Sequence, residues 1–194
     1  MKSRIRRPRA VAAAVTAVAL TSALTGCGLT GPAMNAGAEL AEFTVTSPAF
    51  HDGKDLPARF ACPAYPGGQG RTPPLRWSGA PSQTTRAFAI VVDDPDGSDG
   101  AYVGWVIANI DGTINELVEG ARPEKAVEAL NTSKKTAYVP PCPPKGERHR
   151  YRFTLYALSE RVPLKQGAPL KEALSTIAKY TVGRGRITGN FGDL

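Results

Sequence analysis

The segment 87–92 constrains the fold more than any other, because it is apolar on both of its alternating faces. Successive side chains of a β-strand point to opposite sides of the sheet. Residues 89–92, with the sequence Ala-Ile-Val-Val, therefore predict a central strand that is covered on both sides. The segment ends in Asp93-Asp94-Pro95-Asp96-Gly97, and Asp-Pro-Asp-Gly by itself is typical of a plain turn.

Four further segments are rich in β-branched or aromatic residues and are bounded by Gly, Pro, Asp or Asn. They predict strands at 43–46, 56–61, 103–110 and 152–158. In the last of these, Phe153, Leu155 and Ala157 share one face, and the residues between them occupy the other. Many short strands with Pro- and Gly-rich connections predict a mainly β, antiparallel two-sheet sandwich.

Helices are predicted only in the C-terminal half of the chain. Leu170, Leu174, Ile177, Ala178 and Thr181 follow the spacing of one helical face, between Pro169 and Gly183. A weaker pattern at 123–130 predicts a second short helix. The sandwich should therefore carry one or two short helices.

A second informative segment is the proline-rich stretch 140–144, which leads through Lys145 and Gly146 towards His149 and Tyr151. Proline fixes φ and lowers the entropy of a loop, so Pro143 and Pro144 can form a pre-shaped rim. His149 and Tyr151 alternate with Arg150 and should share one face of a strand. A single histidine in a strand is, on residue type alone, more often a half-buried surface residue than a ligand contact.

In this order, the segments closely resemble the phosphatidylethanolamine-binding protein family, in its bacterial Raf-kinase-inhibitor-like branch. The resemblance covers most of 43–194. It also includes four other motifs: Thr46-Ser47-Pro48-Ala49-Phe50, Pro73-Pro74-Leu75-Arg76-Trp77-Ser78-Gly79, Trp105-Val106-Ile107-Ala108-Asn109-Ile110 and Thr154-Leu155-Tyr156-Ala157-Leu158. It implies a Greek-key arrangement of the sandwich, with a pocket at one end of the strands for a small anion or a phospholipid headgroup.

The resemblance also implies which residues form this pocket, with Arg150 in a structural role. The residues expected to bind the ligand are Asp94, Asp96, Gly104, Pro143, Pro144, His149 and Tyr151. Gly104 is a departure, since family members usually have histidine there, and Pro140 stands where the family favours glycine. The change at Gly104 removes a titratable donor and should leave space, which Tyr102 could reach if the strand register permits.

Residues 1–26 are predicted to be a lipoprotein signal peptide. A basic start is followed by a short apolar run and by Leu24-Thr25-Gly26-Cys27, which matches a lipobox with Cys27 as the acylated residue. An uncleaved anchor or an ordinary signal peptide is the alternative. The Ala- and Gly-rich stretch 27–41 predicts a flexible tether, or alternatively an ordered arm, before a domain at 42–194. The predicted location is the extracytoplasmic face of the cell membrane.

Charge gives no reason to expect nucleic-acid binding. The chain has 24 basic and 17 acidic residues, and five of the basic ones, but none of the acidic ones, fall within the predicted signal peptide. The remainder carries 19 basic and 17 acidic residues and is nearly neutral.

The three cysteines have different predicted fates. With Cys27 assigned to lipid, Cys62 and Cys142 remain as an even pair in an exported protein, which favours a disulfide. Two buried free thiols are the alternative. With the cysteines so assigned and only His51 and His149 present, we expect no metal site and no cofactor.

We expect a binding protein rather than an enzyme, since no nucleophile elbow or phosphate-binding loop is present in the sequence. Its partners should be the membrane and a small anionic or headgroup ligand. One alternative is an inhibitor of a protein partner, such as a serine protease or a kinase. Another is a structural envelope lipoprotein with a vestigial pocket.

Overall fold

The computed structural model describes residues 40–98 and 100–193. The predicted signal peptide 1–26, Cys27 and the tether up to residue 39 lie outside the described residues. The first strand begins at Ala41, one residue before the predicted start of the domain. Within the described ranges, no helix has the length and apolar character needed to cross a membrane.

The described residues form ten strands, a short 3-10 helix and one α-helix. In chain order they are β1 (Ala41–Glu42), β2 (Thr44–Thr46), β3 (Lys54–Asp55), the 3-10 helix Ala58–Phe60, β4 (Leu75–Ser78), β5 (Ala87–Asp94), β6 (Tyr102–Asp111), β7 (Glu116–Leu117), β8 (Val127–Glu128), β9 (Arg148–Leu158), α1 (Leu170–Tyr180) and β10 (Thr181–Gly192).

The strands form two sheets, which confirms the predicted mainly β sandwich. The larger sheet has the order β1-β10-β9-β5-β6-β8, with β3 also paired to β10, and the smaller sheet has the order β2-β4-β7. The larger sheet is mixed, because β1 and β3 run parallel to β10. All other pairings are antiparallel.

Strand β5 is the centre of the larger sheet, as its apolar pattern predicts. Ile90 and Val92 face the core between the two sheets, whereas Ala89 and Val91 face a second core on the opposite side. Helix α1 covers that second core through Ala173 and Ile177. The alternation predicted for 152–158 is also confirmed, since Phe153, Leu155 and Ala157 all lie between the sheets.

Helix α1 confirms the predicted C-terminal helix, but the helix predicted at 123–130 is wrong. Lys125 has a φ of 62°, a left-handed conformation that an α-helix excludes. Val127 and Glu128 instead pair with β6 as an edge strand. Within α1, Ala178 is exposed and Ala173 takes a buried position instead.

The strand predicted at 56–61 is also wrong. The strand that pairs there, β3, ends at Asp55, and Ala58–Phe60 forms a 3-10 helix. Pro57 lacks the N–H group that would continue a strand ladder. Strand β10 was not predicted, because its glycines lower its strand propensity. A Cβ atom at Gly185 would lie 2.5 Å from the carbonyl oxygen of Phe43, so the packing of 41–46 on this strand requires glycine.

A disulfide joins Cys62 and Cys142, with their Cα atoms 5.4 Å apart. The predicted disulfide is therefore confirmed, and the alternative of two free thiols is wrong. The bond attaches the proline-rich loop to the segment that follows the 3-10 helix.

Candidate ligand-binding site

A cavity of about 460 Å³ lies where β5 ends and where β6 and β9 begin. The strands meet at this end because β5 is antiparallel to both of its neighbours. Six of the seven predicted ligand-binding residues line the cavity, namely Asp94, Gly104, Pro143, Pro144, His149 and Tyr151. Asp96 does not line it.

His149 lies at the base of the cavity and is only 6% exposed. Its Nδ1 atom is 2.7 Å from Oδ2 of Asp94, and its Nε2 atom is 2.9 Å from Oε2 of Glu147. A carboxylate oxygen can only accept a hydrogen bond, so this geometry fits a doubly protonated imidazolium that donates to both. Burial alone lowers the pKa of His149, but the hydrogen bonds to Asp94 and Glu147 outweigh burial and raise it.

The Asp94 carboxylate accepts hydrogen bonds both from the turn that follows β5 and from the imidazole ring. While Oδ2 accepts from His149, Oδ1 accepts a hydrogen bond of 2.9 Å from the backbone N–H of Asp96. This second bond closes the turn after the strand in the way that Asp residues favour. The carboxylate is therefore fixed by its own loop before any ligand arrives.

Tyr151 lies beside His149 on the same face of β9, as the alternation predicts. The two rings are nearly parallel, with centroids 6.4 Å apart and an angle of 23° between their planes. Burial, and then the nearby carboxylate of Asp94, raise the pKa of Tyr151. Its phenol group therefore stays neutral and has one O–H to donate, with the Asp94 carboxylate as a nearby acceptor.

Glu147 also lines the cavity, although it is not among the predicted ligand-binding residues. It lies two residues before His149 and four before Tyr151, so the three side chains follow the alternation of an extended chain. That spacing was the signal that could have identified it. The Glu147 side chain is 52% exposed, whereas that of Asp94 is only 11% exposed.

The proline-rich loop forms one wall of the cavity and is attached at several points. Besides the disulfide, the N–H of Cys62 donates to the carbonyl of Pro141 at 2.9 Å. The hydroxyl of Tyr65 donates to the carbonyl of Pro143 at 2.8 Å. These attachments act on a loop whose prolines already limit its conformations, so the wall is preformed.

Gly192 allows the end of β10 to pass close behind this loop. Its φ is 117°, which L-residues with side chains rarely adopt. A Cβ atom there would also lie 2.1 Å from the carbonyl oxygen of Glu147 and 2.9 Å from Cγ of Pro143. Glycine is therefore required at this position for both the backbone angle and the space.

Asp96 is bound by Arg150 outside the cavity. The guanidinium donates to the carboxylate through Nε at 2.9 Å and Nη2 at 2.6 Å, and the backbone N–H of Arg150 adds a bond of 2.8 Å. The side-chain hydrogen bonds from Arg150 lower the pKa of Asp96 to about 2. The pair joins the loop after β5 to the start of β9, which is a structural role.

Gly104 does not leave the open space that its missing side chain suggests. A Cβ atom there would lie 2.9 Å from the carbonyl oxygen of Val139. The N–H of Val139 donates to the Gly104 carbonyl at 3.0 Å, so the chain at 137–140 packs directly on the glycine. Tyr102 is held at the cavity edge by a 2.5 Å hydrogen bond between its hydroxyl and Ser133 Oγ.

The charges around the cavity are mainly negative. Its lining includes the carboxylates of Asp93, Asp94 and Glu147, together with His149, and none of its described lining residues is lysine or arginine. Asp93 is paired with Arg152. In residues 40–98 and 100–193, no group of three or more His, Cys, Asp or Glu side chains is arranged to hold a metal ion.

Comparisons with known proteins agree on one family. The family model described as phosphatidylethanolamine-binding protein matches residues 46–192. The chain is 37% identical over 149 residues to LppC of Mycobacterium tuberculosis, named as a candidate lipoprotein, covering 76% of this chain and 71% of that protein. It is 34% identical over 146 residues to a UPF0098 protein of Methanothermobacter thermautotrophicus, covering 73% of this chain and 93% of the relative.

Two solved structures have the same fold. The homologue CT736 from Chlamydia trachomatis superposes with a TM-score of 0.70 at 30% identity, covering 80% of this chain and all (100%) of that one. YbcL from E. coli, described as a new member of the mammalian family, superposes with a TM-score of 0.72 at 28% identity. That match covers 79% of this chain and 100% of YbcL.

Proposed function

The chain belongs to the phosphatidylethanolamine-binding protein family, and on that basis we propose that its cavity binds a small anionic or phospholipid-headgroup ligand. The protein would do so as a lipid-anchored protein on the extracytoplasmic face of the cell membrane. The observation that carries the proposal is the His149 imidazole in the lining of a preformed cavity, with both ring nitrogens within hydrogen-bond distance of carboxylates.

His149 and Tyr151 supply the donors for an anionic oxygen. Asp94 accepts the hydrogen bond from Nδ1 of the imidazolium. The Nε2–H group is therefore the donor that a ligand can share with Glu147, or can bind in place of Glu147. The neutral phenol of Tyr151 lies beside it. Charge-assisted hydrogen bonds of this kind are stronger than neutral ones, which makes them suitable anchors for a small ligand.

The same geometry supports binding rather than catalysis. A general base needs a ring nitrogen with a free lone pair close to the proton that it removes. Both nitrogens of His149 face carboxylates, and the raised pKa favours the protonated ring. The imidazole is therefore suited to donate hydrogen bonds to a bound group rather than to activate a nucleophile.

Membrane attachment is supported by the lipobox at Leu24-Thr25-Gly26-Cys27 and by the similarity to the candidate lipoprotein LppC. Replacement of Cys27 by serine should block lipid attachment. We expect Cys27→Ser to move the protein from the membrane fraction to a soluble fraction, or to block its processing. Processed protein that stays fully in the membrane fraction would contradict the assignment of Cys27.

Ligand binding is tested by ³¹P NMR titration of the purified full chain with inorganic phosphate and with phosphorylethanolamine. We expect saturable binding that His149→Ala abolishes. His51→Ala is the matched control, because it removes the other histidine, which is exposed and does not line the cavity. If neither compound binds at millimolar concentration, the proposal is wrong, and a protein partner or a purely structural role becomes the better hypothesis.

A further inference from the structure

The described domain begins at the end of the larger sheet that lies away from the cavity. Ala41 pairs with Gly183 near the start of β10, whereas Gly192 at the other end of that strand lies against the cavity wall. The two glycines are separated by about 30 Å at the usual rise of a strand. A chain anchored at Cys27 therefore enters the domain at the end opposite the cavity.

This end, which we call the basic end, carries four exposed basic side chains, namely Arg86, Lys179, Arg184 and Arg186. Arg86 lies beside β9 there, because its N–H donates to the carbonyl of Leu158. Among the described residues, the only carboxylate within salt-bridge distance of the four is that of Glu42, 3.9 Å from Arg184. Basic groups still outnumber acidic ones when three nearby charged residues are included, namely Asp111, Glu160 and Arg161.

Two of these arginines line a cleft of about 260 Å³ beside β1. Arg184 and Arg186 are two residues apart on β10, so their side chains leave the same face of the sheet. A hydrogen bond of 2.9 Å from Nε of Arg186 to Oγ1 of Thr154 orients the second guanidinium. Glu42 also lines the cleft, but its side chain is 85% exposed and can move away. Because guanidinium groups match phosphate oxygens with paired hydrogen bonds, the cleft suits a phospholipid phosphate.

The cavity carries the opposite charge. Its lining includes the carboxylates of Asp93, Asp94 and Glu147 against one imidazole, with no lysine or arginine among the described lining residues. An anionic surface attracts the basic end of such a domain and repels the acidic one. Residues 28–40 can extend over at most about 45 Å, so several orientations are within reach of an anchor at Cys27. Charge then favours the orientation that places the basic end against the membrane.

We propose that the basic end docks on the anionic phospholipid surface to which the chain is anchored, and so directs the cavity away from the bilayer. Lipid phosphates would bind Arg184 and Arg186, with Arg86 and Lys179 close to the same surface. The cavity then takes its ligand from the side of the protein that faces away from the membrane. This inference goes beyond the proposed function but rests on its anchor at Cys27.

The test uses the acylated protein, reconstituted in vesicles of phosphatidylcholine or of an equal mixture of phosphatidylcholine and phosphatidylglycerol. Phenylglyoxal modifies exposed guanidinium groups, and mass spectrometry gives the rate at each arginine. We expect Arg86, Arg184 and Arg186 to react several-fold more slowly on the anionic vesicles. Arg150, which is exposed near the cavity, should react equally on both. High salt should remove the difference, because it screens the charges.

A double variant of the two cleft arginines makes Arg86 the reporter of docking. Each arginine near an anionic surface contributes a factor of about five, so Arg184→Gln/Arg186→Gln should dock about thirtyfold more weakly. Arg86 should then react at nearly the same rate on both kinds of vesicle. The matched control is Lys134→Gln/Lys135→Gln, which removes two exposed charges near the cavity and should leave the Arg86 difference unchanged.

Flotation of the vesicles separates failure of docking from failure of the anchor. Equal rates at Arg86, Arg184 and Arg186 on both kinds of vesicle, with the protein attached to both, overturn the inference alone. Slower reaction at Arg150 instead would also overturn it, because the cavity would then face the bilayer. If the protein floats with neither kind of vesicle, the proposed anchor at Cys27 is wrong, and the inference is wrong with it.

Discussion

The Nδ1 atom of His149 lies 2.7 Å from Oδ2 of Asp94, in a buried pair that joins neighbouring strands β9 and β5. Replacement of Asp94 by asparagine removes the charge that favours the imidazolium, whereas the burial that disfavours it remains. We therefore expect Asp94→Asn to lower the pKa of His149. The measurement is an NMR titration of the imidazole signals, with His51 as an internal reference. An unchanged His149 titration would show that the pair does not form in solution.

His149 should also make stability depend on pH. Its pKa in the folded protein is raised above the value in the unfolded chain, about 6.5. Its contribution is then fully present below about pH 6.5 and is lost as the pH rises through the folded-state pKa. Urea unfolding should therefore show that the free energy of unfolding of wild type falls relative to that of His149→Gln as the pH increases above 6.5. Parallel pH curves for the two proteins would contradict this linkage.

Asp96 should have the opposite pH dependence. Its pKa is lowered to about 2 by Arg150, so its contribution is present above about pH 4 and is lost as the pH falls towards 2. After allowance for solvent screening, we expect Asp96→Asn to reduce the free energy of unfolding by about 1 to 2 kcal/mol at pH 7. Near pH 2 the loss should largely disappear. A double-mutant cycle with Arg150→Gln checks that the loss comes from this pair.

Reduction of the disulfide should lower stability and loosen the cavity wall. The Cys62–Cys142 bond closes a sequence separation of 80 residues. Loops of this length are associated with roughly 3 to 5 kcal/mol of stabilisation. We expect that loss in urea unfolding with reductant, together with weaker headgroup binding. The Cys62→Ala/Cys142→Ala variant should match the reduced protein and should no longer respond to reductant, and a wild-type protein insensitive to reductant would argue against the bond.

Alanine substitutions at Gly192 and Gly146 can distinguish the cost of backbone strain from the cost of a steric clash. Both have positive φ, but only at Gly192 would a Cβ atom meet the loop that carries Glu147 and Pro143. We expect Gly146→Ala to cost about 1 kcal/mol from conformation alone, and Gly192→Ala to cost 3 kcal/mol or more, roughly the range of severe core defects. Thermal unfolding of the two variants measures the difference. Equal losses of stability in the two variants would contradict this expectation, because the loop that carries Glu147 and Pro143 would then accommodate the new side chain at no measurable cost.

Sequence patterns predicted the elements whose side chains repeat with a clear period. The unbroken apolar run of β5, the alternation of β9 and the helical spacing in α1 all reflect local geometry. The pairing of Cys62 with Cys142 followed from their even number in a chain predicted to be exported. That the loops after β5 and before β9 share one pocket was implied by the family resemblance.

Other features depend on contacts between distant parts of the chain, which no local pattern reports. In strand β10, Gly185 makes room for Phe43 and Gly189 makes room for Leu56, and the sequence of β10 alone does not show these contacts. The space at Gly104 is filled by the backbone of Val139, so the residue type there gave the wrong expectation. Glu147 was missed because the alternation of side chains was followed only from His149 to Tyr151, although the same spacing places Glu147 on that face.

The position of β10 in the larger sheet also determines when the fold can be completed. Ala41 pairs with Gly183, and Lys54 pairs with Gly189, so the earliest strands of that sheet have β10 as their neighbour. During synthesis these strands must wait until almost the whole domain has been made, since long-range pairing cannot precede its second strand. An incomplete chain therefore leaves β1 and β3 without their partner in the larger sheet, although β5, β6 and β9 can already pair. The order of synthesis therefore delays the closing of this sheet until the last strand of the chain is available.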